Sequence, residues 1–188
     1  LLRLLMTLTV LATSHPSSAQ RHDGPAAEAL FAKGLDAMQS GNLDGACLYF
    51  AESFRVEPAP GTLLNLAVCE EKRGHVADAW QHYRRLAQTL AVGDDRMARV
   101  KKQVDALASR LPRLGVRPRA SAPAGTTITR DGVEVGTTSY GEALPVNPGV
   151  HNVVASAPGF QTRTETVSLA EGEAKNVEVE PGPAVEAV

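Results

Sequence analysis

Apolar positions recur with a helical period through the first half of the chain and alternate with polar ones through the second. Leu30, Phe31, Gly34, Leu35 and Met38 share one helical face. That helix opens at Asp23-Gly24-Pro25, where Asp can cap and Pro is tolerated in the first turn, and it stops at Ser40-Gly41. A second helix is predicted from Leu43 to about Val56, with Ala46, Phe50 and Phe54 on one face, closed by Pro58-Ala59-Pro60-Gly61. Thr62 is the candidate cap of a third, from Leu63 to Lys72, ending at Arg73-Gly74. A fourth covers Val76 to Leu90, and a fifth, Arg96 to Leu111, carries Met97, Val100, Val104, Leu107 and Leu111.

This half repeats itself. Gly41, Ala46 and Phe50 return as Gly74, Ala79 and Tyr83 at a constant offset of 33 residues, a period that marks stacked helical hairpins. Such units bury their apolar faces against one another and leave a groove for partners. The pattern resembles tetratricopeptide repeats (TPR). Gly34, Ala46, Phe50 and Pro58 fill four consensus places of that family in the first unit, and Ala67, Ala79 and Tyr83 fill three in the second. The second unit departs from the family in lacking a closing Pro, and the period is one residue short. The resemblance implies two antiparallel helical hairpins, with the fifth helix closing the stack and turning Arg96, Arg99, Lys101 and Lys102 outward.

In that register the inner wall presents Phe31, Leu35 and Met38 from the first hairpin and Leu64, Val68 and Glu71 from the second. These six form a candidate partner-binding groove for an extended or helical peptide; the alternative is that the neighbouring domain or residues 20–25 cover them. The same register brings Cys47 and Cys69 to the seam between repeats. They are either a disulfide or two buried free thiols.

The helical period stops at Leu111-Pro112. Seven short strands are predicted: 114–119, 126–130, 133–136, 143–146, 150–155, 161–169 and 174–179, parted by turn residues. Asp131-Gly132 suits a two-residue hairpin turn. This reads as a small antiparallel β-sandwich. The succession Asp131-Gly132, Gly136-Thr137-Thr138, Leu144-Pro145, Asn147-Pro148-Gly149-Val150-His151 and Ala157-Pro158-Gly159-Phe160 resembles a PEGA-type domain. That resemblance implies a non-catalytic extracytoplasmic module of a bacterial envelope protein, with surface or cell-wall association as its proposed role. The fold class is therefore multi-domain α plus β: TPR-like helices over 24–111, a PEGA-like sandwich over 112–181, and 182–188 as a disordered tail.

Charge and chemistry narrow the function further. The net charge of −2 gives no basic field to attract nucleic acid. Residues 1–19 read as a secretory signal peptide: Arg3, an apolar run from Leu4 to Ala12, then Ser17-Ser18-Ala19 before the expected cleavage. The mature protein is expected to be periplasmic or secreted, with no transmembrane segment after cleavage, a setting that allows cysteine pairing. His75 and His82 lack a third ligand, so no metal is expected. Glu70 and Glu71 are adjacent and point about 100° apart on a helix, which reads as one solvated and one helix-end carboxylate. No catalytic fingerprint or cofactor loop occurs, so neither an enzyme nor a cofactor is expected. The expected partner is an unidentified envelope protein. The alternative is a cell-wall polymer, with the β half as a carbohydrate-binding module, a reading weakened because that half offers only Tyr140 and Phe160 as aromatic platforms.

Overall fold

A computed structural model describes residues 24–186. The signal peptide expected over 1–19 and the Asp23 cap lie outside the described residues. Among the described residues five helices come first: α1 (Gly24–Gln39), α2 (Leu43–Val56), α3 (Pro60–Lys72), α4 (Val76–Thr89) and α5 (Met97–Ala108). Each packs mainly on its neighbours in sequence. The third helix starts earlier than expected, because Ala59 is its N-cap and Pro60 occupies the first turn, so Thr62 is an interior, buried position.

The repeat is a repeat of backbone geometry. Gly41 and Gly74 both adopt φ of 79°, the left-handed region that favours glycine. The bond from Asn42 N–H to the Ala37 carbonyl, 2.9 Å, recurs from His75 N–H to the Glu70 carbonyl at 2.9 Å. Ala46 and Ala79 are fully buried, and Phe50 and Tyr83 lie in the helical cores beside them. Gly34 is required on α1: a Cβ there would lie 2.5 Å from the Phe50 ring. Cys47 and Cys69 are joined as a disulfide between α2 and α3, with Cα atoms 5.5 Å apart.

Seven strands follow: β1 (Arg113–Pro118), β2 (Thr127–Arg130), β3 (Val133–Glu134), β4 (Leu144–Pro145), β5 (Gly149–Ser156), β6 (Arg163–Leu169) and β7 (Ala174–Val179). They form two sheets, ordered β4-β1-β7 and β3-β2-β5-β6. Leu114, Val116 and Val179 from the first share one core with Ile128, Val153, Val167 and Leu169 from the second. The all-antiparallel expectation is corrected here: β1 and β7 pair in parallel over six residues, from Arg113↔Ala174 to Pro118↔Val179. Asp131 and Gly132 both take positive φ, 51° and 81°, as the tight β2–β3 turn demands.

The two long outer strands, β6 and β7, are tied across the sheets, which protects their edges. Lys175 donates to the Ser168 carbonyl at 2.6 Å, and Arg163 meets Glu180 at 3.5 Å. The expected disordered tail is also corrected over its first residues. Gly182 N–H donates to the Gln161 carbonyl, Gln161 N–H to the Pro183 carbonyl and Val185 N–H to the Gly159 carbonyl, all within 2.9 Å. Backbone pairing holds this segment against the start of β6, a tie that composition does not reveal.

Candidate functional site

The six groove residues do not fall into one cavity. Leu64 and Val68 line a hollow of about 330 Å³ between α3, α4 and α5, with Val100 completing its apolar floor. Asn65, Glu71, Arg99 and Gln103 supply a polar rim. Glu71 is already engaged, accepting from Tyr83 Oη at 3.2 Å and from Gln103 Nε2 at 2.5 Å. Burial, together with the Glu71 charge and hydrogen bond, raises the Tyr83 phenol well above its ordinary value, so Tyr83 stays a neutral donor. Phe31 lines a separate hollow with Ala27, Ser53 and Thr62, its ring 5.5 Å from that of Phe50. Met38 is half-buried against the core that holds the disulfide, while Leu35 stands exposed.

The paired glutamates also differ from expectation. Glu70 is buried and bound by Arg73 at 3.1 Å and His75 at 2.9 Å. Neither it nor Glu71 is a freely solvated carboxylate: the α3–α4 turn folds Arg73 and His75 over Glu70, and α4 and α5 bring Tyr83 and Gln103 to Glu71. Glu70, His75 and Asp78 bring one ligand atom each within 4.8 Å of one another. The Arg73 guanidinium, which also reaches Asp44 at 2.8 Å, already supplies positive charge there, and we assign no metal to the group.

A second arrangement, the joint between the halves, has no counterpart in the sequence pattern. In the first repeat Asn42 caps its own helix, its Oδ1 accepting from Gly45 N–H at 3.0 Å. The equivalent residue of the second repeat is His75, which makes no side-chain cap bond. Asn147, on the turn between β4 and β5, fills that role from the other half. Its Oδ1 accepts from the N–H groups of Ala77 at 3.0 Å and Asp78 at 3.2 Å, and its Nδ2 donates to Asp78 Oδ2 at 2.7 Å.

His151, buried at the start of β5, stands behind that turn. Its Nε2 lies 2.8 Å from the Asn147 carbonyl and its Nδ1 2.7 Å from Asp131 Oδ2. A cleft of about 470 Å³ opens alongside, between Trp80 and Gln81 of α4 and Arg130, Leu144 and His151 of the β half. A second tie fixes the linker. Arg110 binds Glu171 through two bonds of 2.8 Å, and Gly172 N–H donates to the Arg110 carbonyl at 2.8 Å. That guanidinium holds the Glu171 carboxyl below its ordinary value. The one signal available in the sequence was the exchange of a capping Asn for His at position 75, which leaves the α4 N-terminus without a local acceptor.

Among the described residues, no helix is long and apolar enough to cross a membrane. Comparison of the chain with curated proteins finds no match. Residues 120–182 match the family model described as the PEGA domain, so the sheets after the helices include a PEGA domain, a domain of extracellular or periplasmic proteins.

Proposed function

We propose that this is an exported, non-catalytic interaction protein. Its TPR-like helical hairpins offer the hollow between α3, α4 and α5 to a protein partner, and its β-sandwich associates with the cell envelope. The observation that carries this reading is the hollow itself. Half-buried Leu64 and Val68 line it over a buried Val100 floor, and Asn65, Arg99 and Gln103 form a polar rim, the composition of a peptide-docking site. The Cys47–Cys69 disulfide and the PEGA domain both favour an oxidising, extracytoplasmic setting. The carbohydrate-binding alternative gains little, since Tyr140 packs against the β core and Phe160 is half-buried.

A photo-cross-linking residue at Val68, in the full chain exposed to envelope extract, tests the proposal. The expected result is one discrete adduct that Leu64→Asp abolishes and that the same probe at exposed Lys102 does not give. Equal labelling from both positions would remove the groove reading. Sedimentation with cell-wall glycan instead, unaffected by Leu64→Asp, would favour the sugar-binding one.

A further inference from the structure

His151 faces two acceptors. Asp131 Oδ2 lies 2.7 Å from one ring nitrogen and the Asn147 carbonyl 2.8 Å from the other. A carbonyl oxygen cannot donate. The Asp131 carboxyl is held below its ordinary range, its partial burial outweighed by hydrogen bonds from His151 and the Asn152 N–H. It is therefore an ionised acceptor. A neutral imidazole has one N–H and could serve only one of these oxygens, leaving a lone pair facing the other. The doubly protonated ring satisfies both and adds an ion pair with Asp131.

Among the described residues, the charged groups beside this ring come from two places. The end of β2 brings Arg130 and the β2–β3 turn Asp131, and α4 brings Asp78 through Asn147. Across the sheet, β6 places apolar Val167 opposite His151. Two other histidines sit near Asp78: His75, 3.7 Å away, and His82, whose titration feels that carboxylate.

We propose that His151 is a proton-operated latch between the two halves. With both nitrogens protonated, the ring pins the Asn147 turn to the Asp131 turn and so presents the Asn147 side chain to the N-terminus of α4. Loss of one proton breaks one of the two links. The turn loosens, and the Ala77 and Asp78 N–H groups lose their shared acceptor. The contact of the Asn147 turn with α4 is held at low pH and loosened as the pH rises, while the Arg110–Glu171 tie stays in place.

Amide hydrogen exchange of the full chain between about pH 5 and about pH 8, corrected for intrinsic rates, reads the latch directly. Protection of the Ala77 and Asp78 amides is expected to fall on the order of tenfold as the pH rises, while the Gly45 amide, capped locally by Asn42, does not follow. His151→Gln should abolish that response, and His75→Gln and His82→Gln should keep it. Constant protection in the wild type, or a response that survives His151→Gln, would overturn the proposal. Should His151→Gln fail to fold, the long-range 15N–1H spectrum of the wild-type ring decides. Two protonated nitrogens whenever Ala77 and Asp78 are protected supports the latch; one protonated nitrogen with protection intact refutes it.

Discussion

Asn147 and Asp78 exchange hydrogen bonds across 69 residues: the Asp78 N–H donates to Asn147 Oδ1 at 3.2 Å, and Asn147 Nδ2 donates to the Asp78 carboxylate at 2.7 Å. The reciprocity resembles a capping box, in which a cap residue and the third helical residue satisfy each other, but here the cap comes from another domain. Helix α4 is therefore complete only when the β half is in place. Asn147→Ala should cost about 1 kcal/mol in global stability, measured by urea denaturation, and Asn147→Asp should cost more by setting two carboxylates together. A midpoint unchanged in both variants would mean that water caps α4 equally well.

The disulfide gives a separate expectation. It closes a loop with a sequence separation of 22, which corresponds to about 3 kcal/mol of loop-closure entropy. The oxidised protein should unfold at a clearly higher urea concentration than the reduced one. The Cys47→Ser/Cys69→Ser double variant should match the reduced form and ignore reductant. If reductant shifts neither the mass nor the midpoint of the wild type, the bridge does not form.

Gly34→Ala tests the first helical seam. The added methyl would meet the Phe50 ring at 2.5 Å, and Phe50 is fully buried. Although alanine favours helix over glycine, the clash should dominate, with a loss of about 1–3 kcal/mol. Adding Phe50→Leu should recover part of it. A more stable Gly34→Ala would show that α1 and α2 are packed more loosely than this contact implies.

His82 supplies a pH dependence of opposite sign to the His151 latch. Burial holds its imidazole below the ordinary value; Asp78 opposes this and Arg85 adds to it. The unfolded chain therefore takes up the proton first as the pH falls. The contribution of His82 to stability is whole above about pH 6.5 and is lost progressively as the pH drops toward the folded-state value. His82→Gln should flatten this part of the curve of urea midpoint against pH. An acid side as steep as in the wild type would assign the loss to other groups.

Local patterns revealed most of the architecture and little of the joint. The turn glycines at 41 and 74, the small residues at 46 and 79 and the Asp131-Gly132 hairpin are demands of the backbone itself, so they mark the sequence wherever they occur. The parallel pairing of β1 with β7 left no such mark, because alternation tells which face of a strand is buried and not which strand lies beside it. Helical register alone predicts the groove. Its Leu64–Val68 portion forms one hollow, but Glu71 is drawn into bonds with Tyr83 and Gln103 that depend on how α4 and α5 fold back. Asn147 was legible only as a turn residue. Its capping role depends on a helix end left bare by His75 and brought to it by tertiary packing.

The central place of β1, between β4 and the final strand β7, bears on how the chain assembles when delivered N-terminus first. Each helix finds its main partner a few residues away and can consolidate as it emerges. Strand β1, although it follows directly on α5, must wait with one side unpaired until the Ala174–Val179 segment has been made. A chain ending before Ala174 should therefore keep a settled helical half joined to a sheet that exposes a bare strand.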